Sequence, residues 1–564
     1  MEKRAIIALA LSFLIFIAFM YFGEKQRPPA PPATTADKAP AKPEAPAPPP
    51  PGAAKPALPT PPPAPAPARP AKDVVVDTPL FRAVFTELGG RLKSFQLKKY
   101  RQELQFSSIY SFKLWAVELD VNRYQDNSKG AKLKELVRPG KNQELPLSLG
   151  WSGKNLTVPP LLPYEASQTE VTVKPGETGT LKFTGVSPEG VAFTKTFTFR
   201  ADSYAFDLAV NVTNQTGGVL DGHLDLDLSE NYTGEDASKY LFLGFNGSIN
   251  NRLEELKSGG LKELKTFTGK IDWATLDEGY FLTALVPTAA PKAILTVSET
   301  LPGPMVATLR APVEGLAPGQ AAQLAYTLYY GPKDLDDLKI LNVGLERTVN
   351  FGWFDILGKP FLYTLNFFNR YLHNYGWSII ILTILIRVLF FYPNHKSYKS
   401  MKEMQKLQPK VAKLREKYKD DRETMNKELM GLYRTFKVNP LGGCLPMVLQ
   451  LPVFVALYNV LGYAIELRHA PFLPTIPFTN IVWLIDLSAK DPLLITPLIM
   501  GASMVIQQRM TPSPGDPTQA KMMMFLPIVF TFLFLNFASG LVLYWLVNNV
   551  LSIIQQHYTN KYLA

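Results

Sequence analysis

Five long apolar segments in the last third of the chain constrain its fold more than any other feature. A helix needs about 17–25 predominantly apolar residues to cross the hydrocarbon core of a bilayer. Prolines interrupt several of these segments, and bundled membrane helices tolerate proline better than soluble helices do. The sequence therefore predicts a membrane domain of five helices. The segments span approximately residues 376–393, 442–463, 492–508, 522–537 and 541–556.

A sixth apolar run begins the chain. Residues 5–22 are apolar or small and follow two basic residues, and a run of this length can span a bilayer. A cleavable signal peptide is the alternative, but its apolar core is usually shorter, and no good small-x-small cleavage site precedes Gly23. We therefore predict an uncleaved transmembrane anchor over residues 1–27, which brings the expected number of transmembrane helices to six.

The interval between the anchor and the other apolar segments has two parts. Residues 28–72 are dominated by Pro and Ala, a composition typical of an extended spacer with too few large apolar groups to pack. Residues 73–340 alternate apolar and polar positions between Gly, Pro and Asn, as in Val191–Gln215, and this period of two predicts antiparallel strands. The length favours two large sheets, so we predict a β-sandwich domain.

Basic residues set the expected orientation. The interval 394–441 contains 13 Lys/Arg against 6 Asp/Glu, whereas the loop 464–491 contains only two basic residues. Because positive residues mark the cytoplasmic side, we predict that 394–441 is cytoplasmic, and that 464–491 and the β domain lie outside, in the periplasm of a Gram-negative cell. The N-terminus is then cytoplasmic, and so are two further segments: the loop 509–521 and the short tail 557–564.

Two amphipathic regions flank the first apolar segment. Over 341–375, one face carries four apolar residues, which predicts a helix in the membrane interface. In 394–441, helical spacing on both sides of Asp420-Asp421 predicts an antiparallel helical hairpin, with a kink or turn at Pro409. A hairpin with so many basic residues could bind nucleic acid, anionic lipid or the ribosome. The alternative is a solvated coiled coil that binds no ligand. The apolar positions are Phe361, Leu365, Phe368 and Leu372 in the first region and Met404, Leu407, Val411, Leu414, Tyr418, Met425, Leu429, Leu432 and Phe436 in the second.

Arg387 interrupts the apolar segment 376–393. A charge at the centre of a membrane helix costs about 2.5–3.5 kcal/mol on insertion scales. One interpretation is that the side chain snorkels to the interface, or that polar groups merely hold a helix bundle together. The other is a polar pocket open to the cytoplasm, because further polar residues fall at similar expected depths. These are Thr383, Gln450, Asn548, Asn549 and Ser552.

Several classes of function lack their sequence signals. The five apolar segments contain no Asp or Glu, which argues against a proton-coupled pump. No phosphate-binding loop or HExxH zinc motif occurs, the single Cys444 excludes an intramolecular disulfide, and His223 is the only histidine of the β domain. The sequence therefore predicts a protein that is not an enzyme and that uses no cofactor, metal or nucleotide.

Several stretches resemble the YidC membrane protein insertases of Gram-negative bacteria, of the YidC/Oxa/Alb family. The resemblance is specific over 340–560 and weaker over 73–339, where it rests on the fold and on "LGGRLKSFQLKKY". The stretches are "GWSIIILTILIRVLFFYP", "MKEMQKLQPKVAKLREKYKDD", "KVNPLGGCLPMVLQLPVFVALYNVL", "ELRHAPF", "IDLSAKDP" and "FASGLVLYWLVNNVLSIIQQ".

The resemblance implies an inner-membrane insertase and chaperone with a periplasmic β-supersandwich, which inserts and helps to fold nascent inner-membrane proteins alone or with the Sec translocon. It implies a hydrophilic groove with Arg387 as its charge and the five polar residues above as its lining. It also implies a surface along which the client helix slides into lipid. Ribosome contact is left open because the tail is short. The slide residues would be Met447, Pro452, Phe454, Tyr544 and Trp545.

Two alternatives come from other classes of protein. A small-solute transporter could use Arg387 as an anion site, but it predicts internal repeats, and none is visible in an odd set of five segments. A sugar-binding role for the β domain is the second, since such sandwiches resemble aldose epimerase folds. The single histidine argues against catalysis there but not against binding.

Overall fold

The computed structural model describes the chain from residue 71 to residue 561, apart from twelve internal gaps. The predicted anchor, nearly all of the linker and the end of the tail lie outside the described residues. The gaps are residues 115–116, 126–129, 140–143, 154–155, 233–240, 290–291, 301–302, 420, 437, 439–444, 511–516 and 560.

Residues 73–332 form strands that are antiparallel in every described pair except one, in which Asp73–Asp77 runs parallel to Glu170–Thr172. In chain order these are β1 (Asp73–Asp77), β2 (Phe81–Thr86), β3 (Arg91–Arg101), β4 (Ser107–Leu114), β5 (Val117–Arg123), β6 (Leu133–Glu135), β7 (Leu149–Gly153), β8 (Glu165–Ala166), β9 (Glu170–Thr172), β10 (Thr178–Val186), β11 (Val191–Arg200), β12 (Ala205–Asn214), β13 (Leu220–Glu230), β14 (Leu243–Ile249), β15 (Arg252–Lys257), β16 (Lys265–Phe267), β17 (Ile271–Glu278), β18 (Phe281–Ala289), β19 (Ile294–Glu299), β20 (Met305–Leu316) and β21 (Ala321–Pro332).

These strands build a two-layer sandwich. One layer is a nine-stranded sheet in the order β15-β14-β17-β18-β21-β12-β11-β10-β8. The other holds two five-stranded sheets, β6-β3-β2-β1-β9 and β16-β19-β20-β13-β7. Alternate residues of β11 are buried from Val191 to Phe199, as period-two patterning requires. The sequence predicted two large sheets, and the second layer is instead divided into two.

Lys195 ties the layers together from within. Its side chain is fully buried on β11, and its ammonium group donates to the carbonyl oxygens of Gly89 (2.7 Å), Gly90 (3.0 Å) and Leu147 (2.7 Å). A buried charge is tolerated when hydrogen bonds replace its hydration. This one side chain therefore joins the nine-stranded sheet to the segments that lead into both smaller sheets.

The rest of the described chain is mainly helical. The helices are α1 (Leu335–Ile340), α2 (Asp355–Leu372), α3 (Tyr375–Leu389), α4 (Phe391–Lys417), α5 (Arg422–Thr435), α6 (Leu445–Tyr463), α7 (Ile495–Met510), α8 (Pro517–Phe534) and α9 (Ser539–Tyr558), with 3₁₀ turns at Leu345–Thr348, Gly352–Phe354 and Ile465–Leu467 and a small hairpin of β22 (Leu473–Thr475) and β23 (Val482–Leu484).

The first predicted apolar segment is not one straight helix. Helix α3 ends at Leu389, and α4 leaves it at a bend of 63°. Pro393 explains the break, because its ring clashes with the carbonyl of the residue four positions earlier and it has no N–H to donate. Taken singly, no described helix is both long and apolar enough to cross a membrane, whereas α3 and α4 together satisfy that test by length and composition.

Helix α2 packs on α3 and α6, and its buried residues are Gly358, Leu362 and Leu365. The helices α2, α3 and α6–α9 are called the helical group below. Of the face predicted for the membrane interface, Leu365 is therefore turned towards the protein. The opposite side exposes other large apolar residues. These are Ile356, Tyr363, Phe367 and Tyr371.

The sandwich contacts the helical part directly. The Tyr280 hydroxyl donates to the Gly462 carbonyl at the end of α6 (3.0 Å). Arg468, just beyond α6, donates to the Gln102 carbonyl (2.8 Å), and its guanidinium carbon lies 5.3 Å from the centre of the Phe281 ring. A cleft of about 190 Å³ opens beside these contacts between the sandwich, the end of α6 and the α8–α9 junction.

Candidate functional site

Arg387 lies in the last turn of α3 and is half-buried. Its Nη2 donates to the backbone carbonyl of Asn548 (3.0 Å) and to the hydroxyl of Ser552. The Tyr398 hydroxyl, on α4, also hydrogen-bonds to the guanidinium. The buried Nε has no hydrogen-bond acceptor among the described residues. The guanidinium thus keeps a free donor although three groups already surround it.

Helical spacing on α9 brings the other members of this polar cluster together. Tyr544, Asn548 and Ser552 are four residues apart and share one face of the helix. From α6, the Gln450 amide donates to the Tyr544 hydroxyl and lies 3.5 Å from the side-chain oxygen of Asn548. The cluster of Arg387, Gln450, Tyr544, Asn548 and Ser552 therefore joins three helices.

Two of the predicted lining residues do not join this cluster. The Thr383 hydroxyl donates to the Ile379 carbonyl of its own helix (2.7 Å), and the side chain is buried. Asn549 lies about 100° around α9 from Asn548 and donates to the Ser503 hydroxyl of α7 (3.1 Å). Helix α9 thus has two polar faces, and only one meets Arg387.

Sequence reasoning missed three polar residues at the same end of the helical group. One is Tyr398, whose segment was predicted to lie wholly in the cytoplasmic hairpin. The others are Gln555 and Gln556, which are buried and donate to the carbonyls of Phe391 (3.1 Å) and Met510 (2.8 Å). The sequence could have predicted these glutamines, because they lie one helical turn beyond Ser552, as Ser552 lies one turn beyond Asn548.

The predicted slide residues fall into different environments. Tyr544 is buried in the polar cluster, one turn from Asn548. Phe454 and Trp545 stack edge to face with ring centres 4.8 Å apart, next to Phe534. Pro452 is half-buried inside α6. Met447 lies in α6, but its side chain is outside the described residues.

The described outer surface of α6 and α8 is apolar. The exposed side chains near the predicted slide are all hydrophobic, and they follow helical spacing on α8. Such a continuous apolar surface marks contact with lipid or another apolar partner. The exposed residues are Leu451 on α6 and Met524, Phe525, Ile528, Val529 and Phe532 on α8.

No opposite charge compensates Arg387 among the described residues. Helices α3 and α6–α9 contain no Asp or Glu, and no described carboxylate forms an ion pair with this guanidinium. In the described part of the chain, no group of three or more His, Cys, Asp or Glu residues is placed to hold a metal ion. The chemistry open to the cluster is therefore electrostatic attraction and hydrogen bonding.

The family models and the curated relatives that match this chain agree with one another. The family model described as "60Kd inner membrane protein" matches residues 367–564, and the model described as "YidC periplasmic domain" matches residues 115–364. A relative from Geotalea daltonii, named membrane protein insertase YidC, is 40% identical over 567 residues and covers 100% of this chain and 99% of its own. A relative of the same name from Geobacter metallireducens is 41% identical over 571 residues, with coverage of 100% and 99%.

Two solved structures give weaker similarity. A crystal structure described as an active YidC insertase with its first transmembrane domain resolved is 18% identical, covers 88% of this chain and 94% of its own, and has a TM-score of 0.36. A galactose mutarotase-like protein from Lactobacillus casei is 13% identical, covers 46% of this chain and 99% of its own, and has a TM-score of 0.31.

Proposed function

Because the chain belongs to the YidC family of membrane protein insertases, and is accordingly an inner-membrane insertase with a periplasmic domain and no catalytic chemistry, we propose how its own residues carry out insertion. The cluster around Arg387 is the polar groove that receives the polar flank of a client. The observation that carries this proposal is the positive charge of Arg387, which lies among neutral acceptors and forms no ion pair with a described carboxylate. This charge can attract an acidic client tail without the loss of an existing ion pair.

The proposed topology has six transmembrane helices, with both termini in the cytoplasm. Positive charges support it, since 394–441 is the most basic part of the chain. The apolar outer surfaces of α3, α7, α8 and α9 support it as well. In this topology, the hairpin of α4 and α5 is cytoplasmic. The polar cluster lies towards the cytoplasmic ends of α3 and α9, because both helices descend from the periplasmic side.

A client enters this groove by its polar flank and leaves by its apolar helix. The polar flank exchanges water for the donors of Arg387 and Gln450, so it crosses only part of the hydrocarbon. The apolar helix then moves into lipid along the exposed surface of α6 and α8. Burial of apolar surface supplies the free energy, at about 25 cal/mol per Å². No nucleotide is required for this step.

The partners follow from the same proposal. Nascent inner-membrane proteins are the clients, and insertion takes place alone or together with the Sec translocon. The basic hairpin of α4 and α5 is placed to meet clients or the ribosome in the cytoplasm. The names of the relatives give no support to the small-solute transporter.

Substitution of Arg387 tests the groove. Arg387→Lys keeps a positive charge and retains most insertion, whereas Arg387→Ala lowers insertion of clients with acidic translocated tails. At an effective dielectric constant of 20, the attraction between two opposite unit charges roughly 8–16 Å apart is about 1–2 kcal/mol. Its removal corresponds to about a 5- to 30-fold loss of insertion. Arg387→Glu is more harmful, because it repels such tails.

The measurement is insertion of paired clients that differ only in tail charge, at matched protein levels. Arg509→Ala is the matched control. It also removes one positive charge, but from an exposed position in the last turn of α7, and it leaves the dependence on tail charge unchanged. Equal loss for acidic and neutral tails in Arg387→Ala would refute the electrostatic role.

A further inference from the structure

The strands β4 and β5 form a two-stranded ribbon that stands apart from the three sheets of the sandwich. A two-stranded ribbon is marginally stable alone in water, so contacts on its faces matter. Its register pairs Phe112 with Leu119 and Tyr110 with Val121. It also pairs Ser111 with Asp120 and Lys113 with Glu118. Since alternate residues face opposite sides, one face of the ribbon is apolar and the other is polar.

A bulge enlarges the apolar face. The register shifts between Ser108 and Tyr110, so that Ile109 and Tyr110 both lie opposite Val121. The side chains of Ile109, Tyr110 and Phe112 are exposed, at 54%, 53% and 41%. The ribbon therefore presents three large apolar side chains, each of which the described part of the chain leaves about half exposed.

The polar face is turned towards the helical part of the protein. Lys490 forms ion pairs with Glu118 and, at 3.9 Å, with Asp120. Lys490 itself forms a backbone bridge to Ala538, at the junction of α8 and α9. The opposite, apolar face of the ribbon consequently points away from the helices.

Backbone hydrogen bonds fix the ribbon at the level of the helix ends. The N–H of Asp120 donates to the carbonyl of Pro492 (2.9 Å), three residues before α7 begins. The N–H of Tyr124 donates to the carbonyl of Asn480 (2.8 Å) in the β22–β23 hairpin. Phe478, at the tip of that hairpin, is fully exposed. Aromatic and apolar side chains thus gather beside the periplasmic ends of the helices.

We propose that the apolar face of the β4–β5 ribbon lies in the lipid headgroup region of the periplasmic leaflet, so that the ribbon holds the sandwich against the membrane surface. The inference rests on the proposed topology, which places the start of α7 at that leaflet. Tyrosine and other aromatic residues are enriched at this depth, because their rings combine an apolar body with a polar edge. The ribbon meets lipid rather than a protein partner because its height is fixed by α7 and its apolar face points away from the bundle.

Depth-dependent fluorescence quenching tests this arrangement in the full-length protein. In a Cys444→Ser background, Phe112→Cys places a probe on the apolar face. Lys113→Cys, the next residue, places the same probe on the polar face. Each variant carries an environment-sensitive fluorophore and is reconstituted singly into phospholipid nanodiscs. Some of the lipids carry a spin label either at the headgroup or deep in the acyl chain.

The probe at residue 112 is expected to emit at shorter wavelength than the probe at 113, and the headgroup spin label is expected to quench it more strongly than the deep label does. Tyr110→Cys gives the same result as Phe112→Cys, which guards against a local effect of one substitution. Equal, water-like emission at 112 and 113 would overturn the proposal. Shielding of residue 112 only in native vesicles, and not in nanodiscs, would assign the face to a protein partner and would also overturn it.

The outcome is separable from that of the groove. Probe depth is measured without a client, and the dependence of insertion on tail charge is measured without the probe. A lipid-embedded residue 112 with no effect of Arg387 on acidic tails refutes the groove alone. A water-exposed residue 112 with the expected effect of Arg387 refutes the ribbon contact alone.

Discussion

Among the described residues, the groups that hold Arg387 carry no formal charge: one backbone carbonyl and two hydroxyls. These acceptors orient the guanidinium but leave its charge uncompensated. A carboxylate in their place would give a buried ion pair, which is costly to break and attracts no further anion. The residue types of the cluster were predictable from sequence, because polar residues inside apolar segments are conspicuous. The role of Tyr544 was not, since a tyrosine within an apolar segment suits a lipid interface equally well.

Ser552→Ala tests whether orientation of the guanidinium matters. The substitution removes one acceptor of Arg387 while the charge stays, so we expect the preference for acidic tails to weaken by less than in Arg387→Ala. A hydrogen bond to a charged group contributes about 1.5–3 kcal/mol, and the remaining carbonyl of Asn548 retains part of it. The measurement is again insertion of the paired clients.

Ser503→Ala is the control for that variant. It makes the same chemical change at a buried serine that contacts Asn549 rather than Arg387. Equal behaviour of the two variants would mean that Ser552 supports packing only.

Glu466 should make stability depend on pH. It lies outside the apolar segments, accepts from the side-chain amide of Asn366 (3.3 Å), and burial raises its pKa from 4.5 to about 7. Because the folded state holds its proton more tightly than the unfolded state, this group stabilises the fold below pH 4.5. The stabilisation is lost as pH rises through about 7.

We therefore expect the Tm to fall between pH 5 and pH 8 more in the wild type than in Glu466→Gln. The limit is about 3 kcal/mol, at about 1.4 kcal/mol per pKa unit. Glu254→Gln, at an exposed carboxylate of β15, serves as the control. The same pH slope in wild type and Glu466→Gln would contradict the assignment.

At the scale of elements, chain breaks and amphipathic faces decide the architecture. The bend between α3 and α4 follows from Pro393, so a stricter reading of the proline rule would have ended the first segment at Leu389. The face of α2 was harder to predict, because apolar residues occur on both sides of that helix and only the packed structure shows which side meets the protein. The β4–β5 ribbon was not predicted as a separate element, since its alternation is the same as that of strands within a sandwich.

Removal of residues 400–436 tests the role of the predicted hairpin. The cut keeps Phe391, whose carbonyl accepts from Gln555, and Tyr398, which contacts Arg387 of the polar cluster. Helices α3 and α6–α9 are therefore expected to assemble with little change in Tm. Insertion is expected to fall, because clients lose a basic surface at the groove entrance. The comparison is with a full-length variant in which the basic residues of 400–436 are replaced by Gln. Normal insertion after the deletion would favour a solvated hairpin without a partner.

Across the whole molecule, the helical part that carries the polar cluster and the sandwich are separate in sequence but contact each other. Composition and periodicity predicted the division into β and helical parts, because those signals extend over hundreds of residues. The contacts between the parts were not predictable. Tyr280 with Gly462 and Arg468 with Gln102 are single hydrogen bonds between distant positions, and no local pattern announces them.

Deletion of the sandwich should therefore leave insertion mostly intact while lowering stability. The deletion should run over 73–332, because a shorter cut would leave β1 or β21 as unpaired edges that promote aggregation. The helical part then loses its contacts at Gly462, Arg468 and Lys490, and we expect a lower Tm. Insertion of the paired clients and the Tm are measured together. Loss of insertion at an unchanged Tm would show that the sandwich acts in the transfer itself.

The uncompensated Arg387 also determines how transport responds to the membrane voltage. Moving one elementary charge across a membrane potential of 100 mV changes its free energy by about 2.3 kcal/mol. Arg387 is held in place by Asn548 and Ser552, so it shapes the local field without moving through it. The charge displaced in each insertion event is then that of the client tail alone. The free energy that the voltage contributes to translocation of an acidic tail should grow in proportion to its number of carboxylates, so the rate should rise by a constant factor for each carboxylate. The insertase itself should contribute no gating charge.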